Sequence, residues 1–231
     1  MKITKSVKYN YKLTEETLEK DIEKFIEVAR KGEFGWDYKF GGEGVRIIKQ
    51  YFRLIHEKFD NKEYEQCKKC YKKLILFLFD ASTGRDEACF GYEDLLAKIS
   101  KDFNQFIKDY FICLVKTCDV EELANEVAEY SVKLRECGFE SDKKILIQSL
   151  DKLSLENLMN RMLIKTEGMT KKDEDKQDII YFLMEISEEL EDKEKYLGLC
   201  ERFKGILSDE EVNNLKREYD EDLREIYFNK D

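Results

Sequence analysis

Apolar side chains recur at intervals of three and four along almost all of this 231-residue chain, and no proline interrupts them. That spacing follows the 3.6-residue turn of an α-helix, whereas a half-buried strand alternates at every second residue. Proline removes a backbone donor and clashes with the preceding turn, so a chain without it can run long helices. No stretch alternates with a period of two, and the expected fold is all-α.

The stripes place about ten helices. From Thr14, Leu18, Ile22, Phe25, Ile26 and Ala29 share a face, and Gly32 is the stop. Val45, Ile48, Phe52, Ile55 and Phe59 mark a second helix, widened by Ile47, Tyr51 and Leu54. Tyr64, Cys67, Tyr71, Leu74 and Leu78 mark a third. The fourth reads as one long helix through Tyr92, Leu95, Ile99, Phe103, Phe106, Tyr110 and Leu114. Asp119 with Glu122 forms a capping box ahead of Leu123, Val127, Tyr130, Leu134 and Cys137, with Gly138 as the end. Two shorter helices follow, around Leu146-Leu150-Leu153 and Leu155-Leu158-Met162, closed by Gly168. Ile179, Leu183, Ile186 and Leu190 mark the eighth, and Tyr196, Leu199, Phe203 and Leu207 the ninth. Ser208 with Glu211 is a second capping box, opening a last helix through Val212, Leu215, Tyr219, Leu223 and Ile226.

Helices joined by short turns pack antiparallel, as hairpins. A chain of hairpins of uneven length is expected to stack as an α-solenoid of TPR or HEAT type, the alternative being a closed helical bundle. Two loops interrupt the pattern. Residues 32–44 hold five of the eleven glycines and the only Trp, and residues 80–91 carry Asp80, Ser82, Gly84, Asp86 and Gly91. Neither has the composition of a long flexible linker, so the expectation is a single domain over 1–231, with a soft division near 138–141.

Charge separates the two halves. Residues 1–118 carry 23 Lys/Arg against 20 Asp/Glu, a net of +3, and residues 119–231 carry 18 against 31, a net of −13, for −10 overall. The acidic half repels a phosphate backbone, which disfavours a nucleic-acid partner. The seven cysteines, an odd number in a chain of this size, read as reduced thiols in a cytoplasm. The start, Met1-Lys2-Ile3-Thr4-Lys5, shows no apolar core of a secretion signal. Spanning a bilayer takes roughly 20 apolar residues. The longest run, Leu74-Ile75-Leu76-Phe77-Leu78-Phe79, has six.

On the helix after Asn61, Cys67, Tyr71 and Leu74 stand where the second helix of a tetratricopeptide repeat places small, aromatic and small residues, though no second copy recurs at thirty-four residues. More of the chain resembles the TPR-like helical region found with SWIM zinc fingers in bacterial proteins. The matching order is a Gly/aromatic segment (Trp36–Gly44) leading into a long helix, and a hairpin (Asn61–Phe79). An Asp/Ser/Gly loop (Asp80-Ala81-Ser82-Thr83-Gly84), a long helix and a capped one (Asp119-Val120-Glu121-Glu122-Leu123-Ala124) follow. The resemblance covers about residues 34–137. The chain has no Cys-x-Cys and no Cys-x-His, so the resemblance implies a helical scaffold without the zinc finger.

Individual motifs are read against their structural alternatives. Cys67-x-x-Cys70 lacks the further soft ligands that structural zinc requires, and both thiols fall on an apolar helix side, as buried small hydrophobes. Any Ser-His-Asp or Cys-His arrangement would have to use His56, the single histidine. It reads as a helix-surface residue beside Glu57. Gly41-Gly42-Glu43-Gly44 precedes a helix without the Gly-Lys-Ser/Thr of a P-loop, and reads as a turn. Glu188-Glu189-Glu191-Asp192 and Asp173-Glu174-Asp175 read as solvated faces, and Lys68-Lys69-Lys72-Lys73 as the polar face opposite the third stripe. No catalytic residue, metal ligand or cofactor site is expected.

The function these readings support is a non-catalytic protein–protein interaction scaffold of helical-repeat type. Its partner is a protein, a second copy of the chain included. The alternative is a small-molecule-binding or enzymatic helical bundle with a pocket near the 34–44 aromatic/Gly loop. On either reading Trp36, Tyr38 and Phe40 are the candidate ligand or partner surface.

Overall fold

The computed structural model describes residues 13–34, 38–82, 90, 95–100, 103–136, 143–169 and 174–228. Among them are eleven helices and no strand, and the only β-type pairing is an isolated bridge between Lys204 and Leu207. No helix is long and apolar enough to cross a membrane among the described residues. The chain divides into two compact units, Met1–Thr117 and Cys118–Asp231.

The first unit holds α1 (Leu18–Arg30), α2 (Tyr38–Asp60), α3 (Tyr64–Ser82), α4 (Leu95–Ile99) and α5 (Asn104–Thr117). The cap of α1 is Thr17, whose hydroxyl accepts from Lys20 N, and Gly32 closes the helix at φ 81°. Thr14, expected at the start, is drawn instead to Asp21. That carboxylate, 1% exposed, accepts from Thr14 N and Oγ1, from Glu15 N and from the Tyr51 hydroxyl. A buried carboxylate survives because its oxygens are hydrogen-bonded. Here one side chain ties the approach to α1 onto α2.

The glycine-rich stretch departs from expectation. Gly41-Gly42-Glu43-Gly44 is not a turn: α2 begins at Tyr38 and runs through it. Glycine inside a helix costs about 0.5–1 kcal/mol relative to alanine. At Gly44 packing outweighs this cost, because a Cβ there would lie 2.7 Å from Phe90 Cε1 and 3.1 Å from Phe34 Cγ. The missing side chain lets these rings close over the helix. Phe25, Phe34, Phe77 and Phe90 form one aromatic cluster, with centroid separations from 5.1 to 6.4 Å. Of the segment read as a loop over 80–91, residues 80–82 continue α3, Phe90 is buried, and the remainder lies outside the described residues.

The long fourth helix is two helices. Ser100 leaves the helical path after α4, and α5 opens beyond Phe103. Ser100 and Asn104 are residues whose side chains compete with helical backbone bonding. The break lets α4 pack on α2 and α3, while α5 packs on α3. Phe103 and Phe106 both reach Phe52, at 5.8 and 4.0 Å between ring centroids.

The second unit holds α6 (Val120–Glu136), α7 (Lys143–Ser149), α8 (Lys152–Glu167), α9 (Glu174–Glu189), α10 (Lys193–Arg202) and α11 (Asp209–Phe228). Asp119 caps α6 by accepting from Glu122 N at 2.8 Å. The box at α11 is reciprocal, with Glu211 N donating to Ser208 Oγ and Ser208 N to Glu211 Oε2. The α9 helix is the centre: Ile179, Ile180, Phe182, Leu183, Met184 and Ile186 are all buried, and α6, α7, α8 and α10 pack on it. Leu153, grouped by spacing with Leu146 and Leu150, is 67% exposed. Asp151 caps a new helix before it, and α8 turns its Leu155, Leu158 and Met162 face inward instead.

Candidate functional site

Of the surface residues chosen from sequence, Trp36 lies outside the described residues. Tyr38 and Phe40 are placed in the opening turns of α2, and their side chains lie outside the described set. The described groove of the first unit is elsewhere, between α2 and the α4–α5 segment. It is an open cleft of about 290 Å³ lined by Lys49, Phe52, Arg53, His56, Ile99, Ser100, Gln105, Phe106 and Asp109.

Helical spacing builds both walls. Lys49, Arg53 and His56 stand four and three residues apart on α2, on one face, because 3.6 residues make a turn. Gln105 and Asp109 stand four apart on α5. Phe52 and Phe106 meet across the base with their rings 4.0 Å apart and nearly parallel, at 12°. Phe52 is buried, whereas Phe106 is half-buried and keeps part of its ring open to the groove.

At the inner end lies Asp109, 2% exposed. Its Oδ1 accepts from Gln105 Nε2 at 2.8 Å, and its Oδ2 from the Tyr71 hydroxyl at 3.3 Å, with His56 Nδ1 at 3.3 Å from the same oxygen. Hydrogen bonds to an ionised acceptor are about twice as strong as neutral ones, which is how the carboxylate tolerates burial. A carboxylate only accepts, so Nδ1 is the ring nitrogen that donates to Asp109, and Nε2 is the edge left at the rim. The ring also lies parallel to Phe59, at 6.1 Å, and Nε2 is 4.0 Å from Asp60 Oδ1. His56 is therefore more than the helix-surface residue its sequence suggests. Half of it is exposed, and its other edge is anchored to a buried acid 53 positions away.

Among the described residues lining the groove, Asp109 is the only carboxylate, and its side chain is 3% exposed. The charges that face solvent are Lys49 and Arg53. Arg53 is bonded to Glu57 at 2.8 Å and to Gln50 at 3.1 Å. Lys49 has no ion-pair partner among the described residues.

The Cys67-x-x-Cys70 pair is buried, at 0% and 2% exposure, as its position on the apolar side of α3 implies. The Cys67 thiol donates to Ile55 O, and Cys113, the neighbour of Asp109 one turn along α5, packs against it. Burial pushes the Cys70 thiol up to about 12, far from the thiolate that nucleophilic or metal chemistry uses. The Cys113 thiol is raised by its bond to Cys67 and by burial, and the Tyr71 hydroxyl by burial and the charge of Asp109. No group of three or more His, Cys, Asp or Glu that could hold a metal ion occurs among the described residues. Lys68, read as part of a polar face, is 8% exposed, with its amine 3.4 Å from Glu65, and Lys73 bridges to Glu19 and Glu23 of α1.

Sequence reasoning missed the groove because its walls come from segments about fifty residues apart. The one signal within reach was the basic face of α2, where Lys49, Arg53 and His56 share a side. Compared with known proteins, the chain matches no family model, no curated protein and no solved structure.

Proposed function

We propose that the protein is a non-catalytic helical scaffold that binds another protein, its helices stacked as antiparallel hairpins in the manner of an α-solenoid. The stacking reading draws support from packing within each unit. In the first, α1, α2 and α3 pack on one another and α3 on α5; in the second, α8 packs on α9, α9 on α10 and α10 on α11. The observation that carries the binding reading is the open groove between α2 and α5, with a ring at its base and two cations at its rim. Its volume, about 290 Å³, falls just below the roughly 300–1,000 Å³ typical of small-molecule pockets. A cleft of that size, open along one side, suits one or two side chains of a segment lying across it better than a whole cofactor. Cys67, Cys70, Cys113 and Cys200 are free thiols, which fits the reducing cytoplasm.

The His56–Asp109 pair favours a second reading, a ligand-processing site, because a carboxylate-oriented imidazole is one half of a general-base arrangement. That reading requires a hydroxyl or water held at Nε2, a position that Asp60 faces.

Photo-crosslinking decides between them. A benzoylphenylalanine replacing Arg46, exposed on α2 one turn before Lys49, should label one discrete protein in cells of the source, while the same group replacing Asn160, on the exposed side of α8, should not. Equal labelling from both positions, or none from position 46, overturns the scaffold reading.

A further inference from the structure

From the charges and rings of the α2–α5 groove, we infer that its occupant is an acidic peptide segment of a partner protein, one that places an aromatic side chain next to Asp or Glu. The inference rests on the scaffold reading and specifies its ligand.

The charge of the groove runs against that of the chain. The protein carries a net −10, yet the described residues lining this cleft include no exposed carboxylate; the exposed acids nearest its rim are Glu57, bonded to Arg53, and Asp60, 4.0 Å from His56 Nε2. Asp109 is sealed at the inner end and its two oxygens are already engaged by Gln105, Tyr71 and His56. A ligand entering between α2 and α5 therefore meets Lys49 as a cation unpaired among the described residues and Arg53 as one shared with Glu57, while Asp60 stands beside the outward edge of His56. Lys49, with no ion-pair partner among the described residues, is the point charge for an incoming carboxylate. Arg53 keeps one guanidinium nitrogen on Glu57 and its Nε on Gln50, a geometry that fixes the side chain and leaves further donors of its planar fork.

The base of the groove selects for a ring. Phe106 lies against Phe52 at 4.0 Å on one side and keeps part of its surface open. A third aromatic ring can continue the stack or meet Phe106 edge-on, a geometry that adds attraction beyond the area it buries. Ile99 supplies the apolar flank. A basic segment would bring like charge against Lys49 and Arg53. A purely acidic one would leave the apolar base wet.

The test is a random-peptide display library panned on the full chain, once with the native protein and once with the double variant Lys49→Glu/Arg53→Glu. Both positions are exposed, so the variant keeps the native circular dichroism spectrum; Arg53→Gln and Phe106→Leu serve as milder changes. The native protein should enrich peptides with Phe, Tyr or Trp beside Asp or Glu. The best of these, labelled with fluorescein, should bind at least about tenfold more weakly to the double variant, the loss expected for one charge-assisted contact. Binding should also weaken as salt rises, because exposed charges are screened beyond a Debye length of about 10 Å at 0.1 M. Enrichment of basic peptides, binding indifferent to Lys49 and Arg53, or competition by a single-stranded oligonucleotide overturns the inference. If position 46 crosslinks a discrete protein while the library yields no acidic-aromatic motif, the scaffold reading stands and this ligand class falls. If neither gives a result, both fall.

Discussion

Two glycines in helical positions should respond in opposite directions to the same substitution. Alanine stabilises a helix interior by about 0.5–1 kcal/mol over glycine, since it has less backbone freedom to lose. At Gly198, in α10, a Cβ meets nothing within 4 Å, so Gly198→Ala should gain that amount. At Gly44, in α2, the new methyl would lie 2.7 Å from Phe90 Cε1, 3.0 Å from Phe90 Cδ1 and 3.1 Å from Phe34 Cγ. Carbon atoms in contact sit about 3.5–4.0 Å apart, so the ring must shift by nearly an ångström. It has nowhere to go: Phe90 is 4% exposed and lies 6.3, 6.0 and 5.9 Å from the rings of Phe25, Phe34 and Phe77. Overpacking of this kind costs roughly 1–3 kcal/mol, and the helix gain offsets only part of it. Gly44→Ala should therefore lose about 1–2 kcal/mol. For a chain of this size 1 kcal/mol moves Tm by about 2–4 °C, so melts followed by far-UV circular dichroism should show Gly198→Ala higher by about 2 °C and Gly44→Ala lower by several. Trimming the ring in Gly44→Ala/Phe90→Leu should recover part of the loss, since neighbours that clash are not additive. If Gly44→Ala raises Tm as Gly198→Ala does, the close approach of Phe34 and Phe90 to α2 is wrong.

Two further outcomes follow from the site. Asp109→Ala should destabilise the first unit by about 2–4 kcal/mol in urea unfolding, because it strands the buried Tyr71 hydroxyl, whereas Asp109→Asn should cost less by keeping an acceptor; equal small effects from both would remove Asp109 as the organising group. Alkaline stability should report Cys70. Its folded-state thiol titrates at about 12, against about 8.5 in an unfolded chain, so between those values the unfolded state has lost a proton that the folded state keeps. The stabilisation is complete below about pH 8.5 and declines as pH rises toward 12. Cys70→Ala should flatten that limb in urea midpoints measured across the range, and an unchanged slope would refute the assignment.

Helix positions were legible in the chain because their causes are local. Leu18, Ile22, Phe25, Ile26 and Ala29 are buried along one side of α1, and Gly32 ends it at positive φ. Asp119 and the Ser208–Glu211 pair cap the helices their spacing announced. The thiols of Cys67 and Cys70 lie in the core because three- and four-residue spacing puts them beside Tyr71 and Leu74. Such signals act within a turn or two, through backbone groups and neighbouring side chains, and one segment suffices to read them.

Tertiary structure decided the rest. Local propensity argues for a turn at Gly41–Gly44, yet α2 runs through it, since rings from residues 34 and 90 close on the space that Gly44 leaves. Spacing argues for one helix from Tyr92 to Leu114, yet it breaks near Ser100 so that α4 and α5 meet different neighbours. The groove is the clearest case. His56 reads as a solvent-facing residue on its own helix, and only the packing of α2, α3 and α5 sets it against Asp109, with Tyr71 and Gln105 completing the carboxylate's partners. Local preferences are worth at most about 1 kcal/mol per residue, while a buried ring or a buried acid stakes several on partners far away in the chain. The sequence alone could therefore place the helices, and only the fold could show which of their side chains share a site.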